Sequence, residues 1–120
     1  IVPSVCFETF GIILIESFRL GTPVIARRLG PFPEIVERAG GGELFETEDD
    51  LIAAMRRFQD GGTARDQMAA AARHGFETLW REDQVLGRFG AAFAQAAHRA
   101  GRADLAHALE AGAFENGAAD

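Results

Sequence analysis

Apolar residues crowd the first 45 positions in short runs and then settle into helical stripes. Residues 1–5 read as the end of a buried strand. Residues 11–20 form a helix that is apolar on nearly every side and is therefore expected to pack on more than one face. Gly21 follows its last apolar residue as a stop, and Pro23 forbids continuation. Residues 23–26 are a short apolar run of the kind a parallel sheet buries. Residues 30–33, Gly-Pro-Phe-Pro, make a turn, and residues 33–38 a short helix with proline near its first position. The glycine triplet at 40–42 ends that helix, and residues 43–45 form a weak strand. Strand, helix, strand, helix, strand specifies an α/β fold with a parallel sheet.

From residue 47 onward the spacing is helical. Thr47 to Asp50 has the form of a capping box, opening a helix with Leu51, Ile52, Met55 and Phe58 on one stripe. Asp60-Gly61-Gly62 breaks it, and Thr63 is placed to cap a second helix carrying Met68, Ala72, Phe76 and Leu79. A third begins near Asp83 with Val85, Leu86, Phe89 and Phe93 aligned. Residues 103–111 form a short fourth whose alanine-rich face has little to bury. The stretch 112–120 has a single aromatic and is expected to be unstructured. Residues 1–100 then form one domain, and residues 101–120 a short helix and tail.

Bulk composition narrows the function. Apolar residues make up 48% and charged ones 25%, which is ordinary for a soluble globular chain. A net charge of −6 argues against nucleic acid or anionic lipid as a partner, since both demand basic patches. The one cysteine, Cys6, cannot form an internal disulfide, in keeping with a reducing compartment. No apolar run reaches the ~20 residues of a membrane span, and no stretch of the sequence is expected to act as a signal peptide. The chain opens on Ile1 without a methionine and reads as a piece of a longer protein.

Two carboxylates stand out. Glu8 and Glu16 bracket a run that is otherwise almost wholly apolar, and a buried, unpaired carboxylate is too costly to tolerate without donors. Glu8 falls in the loop between the first strand and the first helix. In a parallel α/β sheet that loop lies at the carboxyl edge of the strands, where such folds bind ligands. Free amides of Gly11, Ile12 and Ile13 would form an anion site there, aided by the helix dipole. Gly11 has no side chain to hold a phosphate away. Glu16 lies roughly 7 Å further along the helix. One carboxylate stands before the anion site and one behind it, which suits a ligand with phosphate in the middle and hydroxyls at both ends. A nucleotide sugar is such a ligand.

These residues also carry a resemblance. Pro3-Ser4, Glu8-Thr9-Phe10-Gly11, Glu16, Gly21-Thr22-Pro23-Val24 and Gly30 with Pro33-Glu34-Ile35 form an ordered series. It resembles the nucleotide-sugar half of retaining GT-B glycosyltransferases, glycosyltransferase group 1 (family 4), with its Glu, seven residues, Glu motif. The likeness continues through residues 40–45 and, more loosely, through the helices to about residue 95. It implies a partial Rossmann-like parallel sheet from a GT-B C-terminal domain, followed by C-terminal helices. It implies that Glu8 binds hydroxyls of the transferred sugar as the catalytic-site carboxylate. Backbone amides at Phe10, Gly11 and Ile12 would meet the sugar or diphosphate, and Glu16 the ribose. No cofactor and no metal is implied, because basic side chains and helix amides stabilise the leaving diphosphate. The implied partners are a nucleoside diphosphate sugar donor, an acceptor (glycan, lipid or small molecule) and an upstream N-terminal domain. The implied location is cytoplasmic, or peripheral at a membrane through that upstream domain.

Thr9 stands where glycine is usual and would crowd the sugar; Pro31 replaces a common second glycine and removes a donor. The family's arginine and lysine clamp on the diphosphate has no counterpart in residues 1–120. Simpler roles are expected elsewhere. Cys6, with no histidine near it in sequence, is expected to be a small buried hydrophobe. His74, His98 and His107 are expected on helix surfaces or in helix packing. Arg27-Arg28 is expected to face solvent, Glu34 to be an acid favoured at a helix start, and residues 46–50 a charged helix start. Rival functions are another GT-B enzyme, such as a sugar epimerase or glycogen synthase-like protein, and a non-catalytic α/β interaction module.

Overall fold

A computed structural model describes residues 1–112; the tail expected to be unstructured lies, from residue 113, outside the described residues. The chain divides into two units, the first Ile1–Trp80 and the second beginning at Arg81.

In the first unit the apolar runs of the sequence become strands β1 (Val24–Arg27) and β2 (Gly42–Phe45), paired in parallel with Val24 opposite Gly42 and Arg27 opposite Phe45. The expected first strand over residues 1–5 shrinks to one bridge. Val2 donates to Ile25 O at 2.8 Å and accepts from Arg27 N at 3.1 Å, so it lies parallel to Ala26. Pro3 has no N–H to continue the ladder, and Val5 beyond it is 78% exposed.

Helix α1 (Ile12–Arg19) precedes β1, and α2 (Phe32–Ala39) crosses from β1 to β2. The main core is built between them: Leu14, Ile15 and Phe18 of α1 meet Phe32, Ile35 and Val36 of α2, with Val24, Ala26 and Ala72. The expectation that α1 packs on several faces is corrected. It buries only Leu14, Ile15 and Phe18, and Ile12 and Ile13 are more than half exposed. At 3.6 residues per turn those three positions and Gly11 share one side, so Ile12 and Glu16 fall on the other.

Helix α3 (Glu48–Asp60) lies over a second cluster of Ile25, Phe45 and Ala54, with Leu51 and Phe58 beside it. Ile52 and Met55 of the anticipated stripe are exposed instead. Its start is the predicted capping box: Thr47 Oγ accepts from Asp50 N at 3.2 Å, and Asp50 accepts from Thr47 N at 3.0 Å. Those bonds, with one from Glu46 N, hold the Asp50 carboxyl below its ordinary value of 3.8. A carboxyl lowered in the folded state adds stability above its unfolded pKa and loses it as pH falls through the folded one. Thr47→Ala should therefore cost about 1 kcal/mol at neutral pH. In denaturant titrations, Asp50→Asn should flatten the acid limb of stability below about pH 4. An unchanged acid limb would show that the box does not form.

Helix α4 (Thr63–Gly75) starts at Gly62 with no side-chain cap, so Thr63 is its first helical residue and not its cap. Its end widens into a π-helical turn over Phe76–Trp80. There Trp80 returns to α1, its ring centroid 6.0 Å from that of Phe18. Arg73 of α4 donates to Arg19 O at 2.6 Å, satisfying a carbonyl at the end of α1.

The second unit pairs α5 (Glu82–Arg99) with α6 (Ala103–Glu110). The residues α5 buries are Gly90, Ala94 and Ala97, small enough to let two helices approach closely. The expected stripe faces elsewhere, with Leu86, Phe89 and Phe93 all about half exposed. No helix among the described residues is long and apolar enough to cross a membrane.

Candidate functional site

The loop from Pro3 to Gly11 leaves the carboxyl end of the Val2 bridge and enters α1, so it sits at the sheet edge the sequence indicated. Gly11 is the N-cap of α1 with φ 70°. The space its missing Cβ would occupy is 3.0 Å from Ile35 Cδ1 and 3.1 Å from the Phe32 ring. The glycine is thus required by a left-handed turn pressed on the core, and the anticipated reason, room for a phosphate on the ligand side, is not what the geometry demands. Its consequence is the same: α1 begins on a tight turn with no side-chain cap and no acid in its first turn. An uncapped helix start free of acids keeps its positive dipole end available to an anion.

Glu8 is half-buried in this loop. The Gly30 turn (φ 56°) supports it from behind, since a Cβ at Gly30 would lie 3.2 Å from Glu8 O. Residues far apart in sequence, Glu8 and Gly30, are therefore joined at one edge. Phe10 and Ile12 are exposed beside the helix start, at 60% and 58%.

Glu16 departs from its expectation. It is exposed on α1's outer face rather than buried among apolar neighbours, and among the described residues no charged side chain is buried. Solvent satisfies its carboxylate, so desolvation does not by itself call for a ligand. It nevertheless shares the outer face with Ile12, one turn from the uncapped amides.

The basic pair is structural. Arg28 reaches Glu37 at 2.9 Å and Glu46 at 3.2 Å, while Arg27 lies over the Phe45 ring at 4.9 Å. Glu34, in the first turn of α2, pairs with Arg38 at 3.1 Å. Cys6 is exposed and not a buried hydrophobe, because the strand that would have buried it stops at Val2. His74 is exposed; His98 contacts Glu110 at 2.9 Å and meets His107 edge-on, tying α5 to α6. Among the described residues no group of three or more His, Cys, Asp or Glu is placed to hold a metal. Sequence reasoning passed over Trp80 and Arg38, which line a cavity beside the Glu8 loop. Trp80 as the chain's single tryptophan was the available signal.

Comparison with known proteins places the chain in a family. The family model described as glycosyl transferases group 1 matches residues 1–75. A D-inositol 3-phosphate glycosyltransferase of Thermobifida fusca is 35% identical over 94 residues, covering 77% of this chain and 21% of that protein. Another, from Acidothermus cellulolyticus, is 31% identical over 99 residues, 79% of this chain and 22% of that protein. An N-acetyl-alpha-D-glucosaminyl L-malate synthase of Bacillus anthracis is 28% identical over 85 residues, 68% of this chain and 22% of that protein. The chain spans about a fifth of the length of these relatives. No solved structure matches it significantly. With the model match running through the Glu8 loop, α1, the sheet and α2, the chain belongs to the glycosyl transferases group 1 family.

Proposed function

We propose that residues 1–100 are the donor-binding portion of a retaining GT-B glycosyltransferase, moving a hexose from a nucleoside diphosphate sugar to an acceptor. The observation that carries this reading is the uncapped start of α1 behind left-handed Gly11, with Glu8 before it and Glu16 on the solvent face beyond it. The diphosphate lies on the amides of Gly11 and Ile12, where the dipole favours negative charge. Glu8, held against the Gly30 turn, accepts hydrogen bonds from the sugar, with the Phe10 amide alongside. Glu16 accepts from the ribose hydroxyls. The exposure of Glu16 suits this role, because a ribose can reach it without any rearrangement of the core. The acceptor site belongs to an upstream domain and the rest of the diphosphate contacts to residues upstream of this chain, and the enzyme works in the cytoplasm or at a membrane face through that domain.

The test is a calorimetric titration of the intact enzyme with uridine, guanosine and adenosine diphosphates and their hexose adducts. One base is expected to bind, with affinity falling as salt rises because the contact is to an anion. Binding by none of them would overturn the proposal. The chain alone is expected to show no turnover of any of these donors, because closure of two domains assembles the reacting geometry. Release of free nucleotide by the purified chain in the presence of sugar acceptors would contradict that division of labour.

A further inference from the structure

Helix α5 buries Gly90, Ala94 and Ala97 where it meets α6 and leaves a second face uncovered. On that face Leu86, Phe89 and Phe93 are 46%, 56% and 55% exposed, with Ala96 and Ala100 exposed beyond them. The five positions recur at alternating steps of three and four residues, the a and d positions of a coiled-coil seam. At 3.6 residues per turn they fall about a quarter-turn around α5 from the residues that meet α6, so a further helix fits beside the pair. Phe89 and Phe93 are stacked on each other, ring centroids 6.2 Å apart and planes 21° apart. Large apolar groups gathered in water, with no charged residue among the five, mark an interaction surface.

The symmetry of the pattern selects the occupant. Counted about residue 91, the series is its own reverse: 86 answers 96, 89 answers 93, and 82 answers 100. A two-fold contact needs such self-complementarity. An antiparallel copy of α5 sets Phe89 against Phe93 of the copy, and Leu86 against Ala96, a large residue over a small one. The ends agree in charge. Exposed Glu82 stands at one end of the seam and exposed Arg99 at the other, and among the described residues no salt bridge takes up either. Antiparallel packing brings each Glu82 beside Arg99 of the copy and sets the helix dipoles in opposition. A parallel pair would set Glu82 against Glu82 and leave Ala96 facing Ala96 across a gap.

We propose that α5 is an interface through which two copies of the protein associate, antiparallel along the seam of Leu86, Phe89, Phe93 and Ala96. Phe89 and Phe93 form its centre. The contact is two heptads long and falls at the low end of specific interfaces, below ~1,200 Å², so the dimer is weak and reversible. It uses only residues of the second unit and does not rest on the donor reading.

Sedimentation of the intact enzyme is the test. The enzyme should pass from monomer to dimer between about 1 and 100 µM, as suits a contact of this size. Phe89→Glu and Phe93→Glu should each weaken association at least about thirtyfold, the scale of a central aromatic anchor. Glu82→Arg should weaken it a few-fold, and adding Arg99→Glu should restore it. Orientation is read by oxidative cross-linking in a Cys6→Ser background. Leu86→Cys and Ala96→Cys together should give a disulfide-linked dimer, and neither alone should, since like positions lie about 15 Å apart in the antiparallel register. A monomer over the whole range would overturn the proposal. So would a dimer that both glutamate variants keep, or cross-linking by the single cysteine variants, which marks a parallel pair. A monomer whose thermal transition falls steeply with Phe89→Glu would show that another part of the same chain covers the seam, which also overturns it. Failure of nucleotide binding would remove the donor reading and leave this interface standing.

Discussion

Gly42→Ala is expected to abolish the pairing of β1 with β2, while the same substitution at Gly87 strengthens the chain. A Cβ at Gly42 would fall 2.2 Å from Val24 O and 2.9 Å from Val24 Cγ2. Val24 is the register partner of Gly42, and its N–H also bonds Gly41 O at 3.1 Å, so neither strand can retreat without losing the ladder. The obstruction is backbone and cannot rotate away. Overpacking of a rigid site costs about 1–3 kcal/mol, and more when backbone must move. In an 80-residue unit each kilocalorie per mole lowers Tm by about 4–8 °C. The variant should lose its cooperative transition or unfold well over 10 °C lower. Gly87 sits within α5 with nothing inside 4 Å of its added Cβ. There alanine removes glycine's backbone entropy and should stabilise the second unit by about 0.5–1 kcal/mol. Thermal melts of both variants check the pair. A neutral Gly42→Ala would mean that the strands do not meet in this register.

The sequence carried the order of elements because each boundary has a local cause. Gly21 with Pro23, the turn at 30–33 and the capping box at Thr47 all act within a few residues, and the observed elements begin and end beside them. What it could not carry was which face each helix buries. Helix α1 has apolar residues all round, so periodicity gave no preferred side; the choice of Leu14, Ile15 and Phe18 is made by α2, α4 and Trp80 packing there. The burial of Glu16 was misread for the same reason. Helix α5 shows the converse. Its large stripe looked like the core face, yet close approach to α6 is possible only through Gly90, Ala94 and Ala97. The candidate site was legible where it depended on motif order, at Glu8, Gly11 and Gly30. It was illegible where it depended on contacts across many residues, as with Trp80 and the Gly30 turn, where an added Cβ would come within 3.2 Å of Glu8 O.

The two glutamates should separate cleanly when each is changed to glutamine in the intact proposed enzyme. Glu16 is exposed on the outer face of α1, so Glu16→Gln removes a charge without disturbing the core. If it holds the ribose, its hydrogen bonds are equally present in ground and transition states. Its loss should then raise KM for the donor and leave kcat largely intact. In the proposed site Glu8 would touch the sugar, where charge develops as the bond to the diphosphate breaks. An interaction that strengthens in the transition state appears in kcat, so Glu8→Gln should depress kcat more than it weakens donor binding. A hydrogen bond to a charged group contributes about 1.5–3 kcal/mol, which sets the scale at roughly tenfold to a hundredfold or more for either change. The bare nucleoside diphosphate supplies the sharper comparison because it has ribose and no sugar. Calorimetry on the same intact enzyme should show its binding weakened by Glu16→Gln and almost untouched by Glu8→Gln. Equal losses in the two variants would mean the carboxylates do not sit at opposite ends of the ligand, and the donor would have to lie differently across the start of α1.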